Sequence, residues 1–411
     1  KLTSVTIPNS VTGIGSNAFY GCSELTSVTI PNSVTDIGGG AFSGCSGLTE
    51  VTIPNSVTYI GQGAFYNTGI YNNNSNWDNG VLYIDNCLIE ANSDVVKGSY
   101  TIKEGTRIIG GGAFSGCSGL TEVTIPNSVT YIGSDTFRHC SSLTSVTIPN
   151  SVTFIDDYAF DGCSGLTKVN YLGTVDEWVE FNWLFGNPTS YANDLYINNE
   201  LVTDVKITSA GSIGYGVFNN CKSIKSVEIG ESVTSIGLGA FSGCSGLTEV
   251  TIPNSVTHIG EGAFFGCSGL TEVTIGESVT SIGSSAFSGC DKLIKVTAYP
   301  TTVPNAYESS FAHYNAALYV PCDVYDDYIL DDVFGTFKVT ECIAGEEEEP
   351  TSITETLADA NITVSGGTIS ADADFSIYNT IGQDITAFNG SLQPGVYLVS
   401  IENNIVKVMV K

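Results

Sequence analysis

The chain has 411 residues, of which 42% are hydrophobic and 46 are glycine. Its 14 basic and 43 acidic residues give a formal net charge of −29, which disfavours nucleic acid and anionic membrane surfaces as partners. No stretch approaches the roughly 18 consecutive apolar residues of a membrane-spanning helix, so membrane insertion is not expected.

A repeat of 23 residues runs through most of the chain, and its clearest marker is a phenylalanine that follows a small residue. This marker recurs, mostly at intervals of 23, at Phe19, Phe42, Phe65, Phe114, Phe137, Phe160, Phe218, Phe241, Phe264, Phe287 and Phe311. A fixed period of this length is typical of a solenoid, in which each repeat contacts only its neighbours.

One repeat shows how the unit is built. Val51 and Ile53 alternate with Thr52, which predicts a half-buried strand over 48–53, and Pro54 ends that strand because it lacks a backbone donor. A second short extended segment, Ser-Val-Thr-x-Ile, follows. A glycine then allows a turn or a close backbone approach, and the Ala-Phe-x-Gly-Cys segment is predicted to place phenylalanine in the core.

Nine cysteines share one position of the repeat, and Thr68 takes that position once. Adjacent coils of a solenoid lie about 4.8 Å apart, whereas a disulfide favours Cβ atoms about 3.8 Å apart. We therefore predict a column of buried, reduced thiols. Of the other cysteines, Cys322 and Cys342 are close enough in sequence to bridge across the last coil.

The pattern Leu-x-x-Val-x-Ile-Pro-x-x-Val-x-x-Ile-Gly-x-x-Ala-Phe-x-Gly-Cys resembles the BspA-like leucine-rich repeat of bacterial surface proteins over residues 1–340. The resemblance implies a right-handed, β-rich solenoid, an extracellular or outer-surface location, and adhesion to proteins of the extracellular-matrix type. The segment 1–7 reads as the middle of a repeat strand. We therefore expect that the natural N-terminus was removed, and the missing signal peptide does not indicate the cytoplasm.

Two interruptions break the period, at 69–98 and 171–206. In the first, 80–84 and 87–90 flank Asp85-Asn86 and predict a β-hairpin. The second carries Trp178 and Trp183. These rings either fill a core that the short repeat leaves open or form an aromatic platform for a sugar or a peptide.

The repeat ends in a predicted cap at 312–340, which includes an amphipathic helix over 325–334. An acidic linker is predicted at 341–352, followed by a small sandwich-like β module at 353–411. Within that module, 377–382, 392–399 and 406–411 resemble the C-terminal sorting domain of the type IX secretion route, which implies export across an outer membrane. A generic β-sandwich cap is the alternative.

The sequence contains no convincing constellation for catalysis, and we expect a chain that is not an enzyme and needs no cofactor or metal. His139 lies beside Cys140, but Cys140 belongs to the predicted buried column. Glycine-rich segments such as 110–116 lack the Lys-Ser/Thr ending of a phosphate-binding loop. The acidic clusters lack the spacing of an EF-hand loop and are interpreted as solvated surface.

The outward side chains of the predicted strands form the candidate binding surface, on what would be the concave face of the solenoid. Glu249 and Glu272 should be neighbours on adjacent coils, an unfavourable pairing that indicates a basic partner or a cation. The candidate binding residues are Glu50, Thr52, Glu122, Thr124, Glu249, Thr251, Glu272 and Thr274 on this face, and Trp178 and Trp183 in the second interruption.

Together these features predict a secreted or surface-displayed, non-enzymatic, adhesin-like protein whose partner is a protein or glycan. Two alternatives remain open. One is a carbohydrate-binding or nutrient-capture accessory protein that uses the two tryptophans, and the other is a structural spacer with inert faces.

Overall fold

A computed structural model of the chain describes residues 2–183, 185–311 and 316–343, together with strands and two single residues between 363 and 410. The chain divides into two compact units, Lys1–Ile343 and Ala344–Lys411. The first unit is a β-solenoid of about 15 turns, as the 23-residue period predicts.

The elements of the solenoid follow the chain from coil to coil. The first coils contain β1 (Ser4–Thr6), β2 (Gly13–Ile14), β3 (Ser27–Thr29), β4 (Asp36–Ile37) and β5 (Tyr59–Ile60). The first interruption contains α1 (Gly69–Asn72), a 3-10 helix (Asn74–Asn76), β6 (Trp77–Asp78), β7 (Val81–Ile84) and β8 (Cys87–Ala91). The next coils contain β9 (Gly98–Thr101), β10 (Ile108–Ile109), β11 (Leu120–Thr124), β12 (Tyr131–Ile132), β13 (Ser145–Ile148), β14 (Phe154–Ile155) and β15 (Lys168–Tyr171).

The second interruption and the last coils complete this unit. The interruption contains α2 (Val175–Trp178), α3 (Thr189–Ala192), β16 (Leu195–Ile197) and β17 (Glu200–Leu201). The coils after it contain β18 (Asp204–Ile207), β19 (Ser226–Ile229), β20 (Ser235–Ile236), β21 (Glu249–Ile252), β22 (His258–Ile259), β23 (Glu272–Ile275), β24 (Ser281–Ile282) and β25 (Lys295–Ala298). The end contains 3-10 helices (Glu308–Ser310, Cys322–Val324, Phe334–Thr336), β26 (Ala317–Pro321), α4 (Tyr325–Leu330) and β27 (Val339–Ile343).

Each regular coil contributes one longer and one shorter strand, and strands of successive coils pair in parallel. The longer strands β21, β23 and β25 pair in this way, and so do the shorter strands β20, β22 and β24. Residues 23 apart therefore lie side by side. A position of the repeat thus becomes a column that runs along the array.

The phenylalanine of each repeat forms the centre of the core. Phe218, Phe241, Phe264 and Phe287 are buried, and successive ring centroids lie 5.2–5.3 Å apart with interplanar angles of at most 18°. The backbone takes part as well, since the N–H of Phe241 donates to the carbonyl of Ala263 in the next coil (2.7 Å). The predicted core position is confirmed, and the turn that carries it is itself linked from coil to coil.

The preference for glycine after the second strand has a steric cause. A Cβ atom on Gly133 or Gly283 would lie only 2.4–2.5 Å from a backbone nitrogen of the preceding coil. Real Cβ atoms do not approach that closely, so glycine permits the close packing of neighbouring backbones in these two coils. Of the two reasons that the sequence suggested for this glycine, close approach is therefore the one that applies.

Eight of the nine cysteines in the column are buried, and all nine are reduced, as predicted. Cys163, Cys244 and Cys267 are fully buried, and each Sγ donates to the carbonyl of a phenylalanine 26 residues earlier, at 3.1–3.2 Å. Burial raises the pKa of these thiols, and that of Cys163 reaches about 12. The column therefore contributes apolar contacts and thiol hydrogen bonds to the core.

This burial predicts a selective reaction with thiol reagents. Of the ten free cysteines only Cys22, in the first coil, is partly exposed. A maleimide at pH 7.5 is expected to modify Cys22 in the folded chain and all ten free cysteines after denaturation, because the thiolate is the nucleophile and needs access. Intact-mass spectrometry counts the adducts. Rapid native labelling of Cys244 would contradict the assigned core.

The first interruption forms the predicted hairpin, with β7 and β8 antiparallel on either side of Asp85 and Asn86. It also changes the coil before it. The strand predicted over 48–53 is absent, and the N–H of Ile53 donates to the Oδ2 of Asp85 (2.8 Å) instead of joining a sheet. The side chain at the hairpin turn, rather than a neighbouring strand, thus accepts the N–H of Ile53.

Helix α2 of the second interruption is fastened to the coil that follows. Oδ1 of Asp176 accepts the N–H groups of Thr208, Ser209 and Ala210, and Oδ2 accepts the hydroxyl of Thr208 (2.7 Å). Partial burial alone would raise the pKa of Asp176, but these hydrogen bonds outweigh it and lower the pKa to about 2.

The end of the solenoid is closed by aromatic side chains around α4. Phe311, the last phenylalanine of the column, contacts Phe334 and Phe337 edge to face, and α4 lies within the predicted helical segment. A disulfide joins Cys322 to Cys342. The predicted linker 341–352 begins within β27 and otherwise lies outside the described residues.

The second unit is described only through its strands. These are β28 (Thr363–Ser365), β29 (Thr368–Ser370), β30 (Phe375–Tyr378), β31 (Gly395–Ile401) and β32 (Asn404–Val410). The pairs β28–β29, β30–β31 and β31–β32 are antiparallel. The segments 379–382 and 392–394 of the sorting-domain resemblance lie outside the described residues. Among the helices described in either unit, none is long and apolar enough to cross a membrane.

Candidate functional site

The candidate binding residues of the last regular coils lie together, as predicted. In β21 and β23 the residues alternate between outward and buried, and the register places Glu249 beside Glu272 and Thr251 beside Thr274. We call these four residues the strand face. Lys295 follows in the same register, and its Nζ donates to Oε2 of Glu272 (3.1 Å).

The charges of the strand face are unevenly balanced. Glu249 and Glu272 are adjacent like charges, an arrangement that costs roughly 0.2–1 kcal/mol in a sheet. Lys295 offsets the charge of Glu272, although both partners are about half exposed and an ion pair of this kind contributes little stability. Within the described part of the chain, Glu249 has no salt bridge. Its carboxylate is thus available to a basic group from outside.

The threonines of the chain fall into two classes. At the start of the longer strand, Thr271 donates its hydroxyl to the carbonyl of Thr248 in the preceding coil (3.0 Å), and Thr144 bonds to Thr121 in the same way. The outward hydroxyls of Thr251 and Thr274 make no hydrogen bond with any described residue. The first class therefore holds coils together, and the second is free to contact a ligand.

The remaining predicted members of this surface are separated from the strand face. Glu122 and Thr124 lie in β11, which belongs to another sheet together with β9, β13, β15, β16 and β17. Glu50 and Thr52 are exposed but lie outside any strand. They line a cleft of about 840 Å³ that also includes Asp85 and the two asparagines at positions 55 and 86. The predicted continuous ladder is therefore divided into three separate groups.

Trp178 and Trp183 are buried, with 0% and 4% of their surface exposed, and neither ring offers a face to solvent. Their centroids lie 5.7 Å apart, and both contact Phe181. Nε1 of Trp178 donates to the carbonyl of Val217 (2.8 Å). This burial contradicts the first of the two predicted roles, an aromatic platform for a ligand. The two rings instead fill the core, which was the other predicted role.

Sequence reasoning missed a second cleft, of about 430 Å³, on the side of the shorter strands. Its lining comprises Asp36, Thr58, Tyr59, Thr130, Tyr131, Thr153, Phe154 and Asp156. We call it the aromatic cleft. The signal was present in the sequence, since the variable position of Val-Thr-x-Ile is aromatic in three coils and an aspartate replaces the usual glycine two residues after Phe154.

The cysteine and histidine that are adjacent in sequence do not form a reactive pair. The Sγ of Cys140 is buried and donates to the carbonyl of Phe114 (3.1 Å), and burial raises the pKa of this thiol far above its ordinary value. His139 lies at the surface, with a backbone φ of 57°. Among the residues described, no group of three or more histidine, cysteine or acidic side chains is placed to hold a metal ion.

Comparison with known proteins identifies the repeat. The model of the BspA type leucine rich repeat region matches residues 1–96, 96–182 and 189–317. No curated protein has a significant match to the chain.

Several solved structures are similar to the chain. A leucine-rich repeat protein from Bacteroides ovatus is 23% identical, with 77% of this chain and 91% of that chain covered and a TM-score of 0.34. A leucine rich cell surface protein from Faecalibacterium prausnitzii is 28% identical, with 72% and 79% covered and a TM-score of 0.34. The pneumococcal vaccine antigen PcpA is 18% identical, with 83% and 78% covered and a TM-score of 0.35.

The family model covers well over half of the chain, and the matched segments coincide with the coils whose phenylalanine and cysteine columns form the core. The chain therefore belongs to the BspA-type leucine-rich repeat family.

Proposed function

We propose that this chain is a secreted or cell-surface binding protein without catalytic activity, adhesin-like in its role, which contacts host or microbial macromolecules through the strand face. The family carries the location, because BspA-like repeats are typical of bacterial surface proteins. The observation that carries the binding role is the pairing of exposed carboxylates with unbonded threonine hydroxyls in one register.

The physical argument rests on what the strand face leaves unused. A rigid parallel sheet holds Glu249, Thr251, Glu272 and Thr274 at fixed spacings. Binding of a complementary partner therefore costs the protein little conformational entropy. Hydroxyls that already bond to the backbone add no such contacts. The free hydroxyls and the unpaired carboxylate supply hydrogen-bond partners that a ligand can satisfy.

The charge of the chain indicates the kind of partner. With 43 acidic and 14 basic residues, the protein attracts basic surfaces and repels acidic ones. A basic patch opposite Glu249 and Glu272 would also relieve their mutual repulsion. Basic proteins of the extracellular matrix have this chemistry, and a glycan with cationic groups is the corresponding carbohydrate partner.

Binding of the full chain to a panel of extracellular-matrix proteins and glycans at physiological salt tests this proposal. We expect saturable binding that becomes at least about tenfold weaker in the Glu249→Ala, Glu272→Ala double variant, as for charged contacts at an interface. Surface plasmon resonance measures the dissociation constants.

The matched control is the Glu261→Ala, Glu277→Ala double variant, which makes the same charge change at exposed positions outside the strand face. It should bind within about twofold of the unmodified chain. Equal weakening in both double variants would show that binding depends on the net charge of the chain and not on the strand face. Binding that is unaffected by the strand-face substitutions, or turnover of a substrate by the chain, would refute the proposal.

A further inference from the structure

The aromatic cleft is built by side chains that the repeat does not require. Tyr59, Tyr131 and Phe154 each occupy the variable position of the shorter strand, which is glycine, aspartate, serine or histidine in other coils with the Val-Thr-x-Ile pattern. Phe154 is 55% exposed, although β14 is held in the sheet by its register with β12. Tyr131 is buried and belongs to the core, and Tyr59 is half-buried against it. The exposed ring of Phe154 adds nothing to that core.

The three rings enclose a corner. Tyr131 and Phe154 pair in register, and their rings stack with centroids 5.7 Å apart and an interplanar angle of 5°. Tyr59 comes from the coil before the first interruption, and its ring meets that of Tyr131 edge to face at 5.8 Å and 73°. The stacked rings of Tyr131 and Phe154 therefore form one wall of the cleft, and the ring of Tyr59 forms a second wall at a steep angle to it.

Two carboxylates flank these walls. Asp36 lies beside Tyr59 in the register of β4 and β5, and Oδ2 of Asp156 accepts the hydroxyl of Tyr131 (2.8 Å). Burial, with both carboxylates adding to it, raises the pKa of Tyr59 and Tyr131, so both phenols stay neutral. The described lining contains no lysine, arginine or histidine.

In the described lining the two carboxylates are acceptors, and every hydroxyl except that of Tyr59 already donates a hydrogen bond. The hydroxyls of Thr58, Thr130 and Thr153 each donate to a backbone carbonyl of the preceding coil, at 3.3–3.4 Å. The hydroxyl of Tyr131 is also committed, to Asp156. A sugar hydroxyl both donates and accepts, whereas ammonium and guanidinium groups only donate. The lining therefore matches an organic cation better than a neutral sugar.

We propose that the aromatic cleft binds the ammonium or guanidinium group of a lysine or arginine side chain presented by a basic partner. Aromatic faces attract such cations, and the two carboxylates add charge and acceptors. A metal ion would find only two carboxylates here, and among the described residues no group of three or more histidine, cysteine or acidic side chains is placed to hold one. This site shares no residue with the strand face, and its existence does not depend on the adhesive role proposed above.

Isothermal titration of the full chain with a four-arginine peptide at 0.15 M salt tests this inference. We expect saturable binding, and no binding of a four-citrulline peptide, which keeps the shape but removes the charge. The Asp36→Asn, Asp156→Asn double variant should bind about tenfold more weakly. Phe154→Ala removes an exposed ring and should weaken binding about two- to fivefold, in line with a cation–π contact.

The control is the Glu261→Gln, Glu277→Gln double variant, which has the same net charge as the cleft variant. It should bind the arginine peptide within about twofold of the unmodified chain. Absence of binding to the unmodified chain, equal loss in the control, or equal binding of the citrulline peptide would overturn the inference. Thermal melts of each variant show whether the fold is kept, and Phe154→Ala provides the second test if the aspartate variant unfolds.

Discussion

Replacing Phe241 with alanine is expected to destabilise the solenoid by about 3–5 kcal/mol, the range for removing a buried phenylalanine from a core. Phe241 is fully buried, and its ring stacks between those of Phe218 and Phe264, 5.2 Å from each centroid. The substitution would therefore break the column on both sides of one coil. Urea denaturation followed by circular dichroism measures the loss, and hydrogen exchange locates it.

Phe265→Ala is the matched control. Phe265 directly follows Phe264 of the column, but its side chain is 48% exposed. It should change the free energy of unfolding by no more than about 0.5 kcal/mol. Since coils contact only their neighbours, Phe241→Ala should increase exchange most in the coils of Phe218, Phe241 and Phe264. Equal effects of the two substitutions would show that the phenylalanine column is not the core.

Stability is expected to fall steeply above about pH 9 because of the buried cysteines. Burial raises the pKa of Cys87, Cys163, Cys221 and Cys290 from 9.0 to about 12. Below pH 9 the thiols are protonated in both the folded and the unfolded chain, so their contribution to the free energy of unfolding is fully present. Between pH 9 and 12 they ionise only in the unfolded chain. Each then costs up to about 1.4 kcal/mol per pH unit.

Urea midpoints measured from pH 7 to 10.5 under reducing conditions test this dependence, and Cys163→Thr provides the control. Threonine already occupies the cysteine position at Thr68, where it is buried and donates its hydroxyl to the carbonyl of Phe65 (2.8 Å). The variant has one titrating thiol fewer, so its stability should fall less steeply above pH 9. Identical slopes, or a midpoint that stays constant to pH 10.5, would contradict the assignment.

Much of this fold could be predicted from the sequence because the same core residues recur in almost every repeat. The phenylalanine and cysteine columns, the hairpin around Asp85 and the register of Glu249 with Glu272 are confirmed. Each depends on a local pattern or on the fixed period. Stacking equal units converts such a period directly into side-by-side contacts, so little information beyond the sequence was needed.

The errors of prediction lie where the period is interrupted. The strand over 48–53 is absent because the turn at Asp85 takes the N–H of Ile53, a contact that no local pattern encodes. Trp178 and Trp183 are buried because four aromatic rings of one interruption pack together. The rings of the aromatic cleft meet because the first interruption changes how neighbouring coils join, which the period alone does not specify.

The interchangeability of the coils also bears on how such a gene can change. Residues 243–252 and 266–275 have the same sequence, and each coil offers its neighbour the same core contacts. Recombination between these copies would delete or duplicate one unit and still join matching surfaces. The encoded protein would become shorter or longer by about 4.8 Å, the spacing of one strand. Reach is therefore a trait that can vary by whole repeats while the core stays the same.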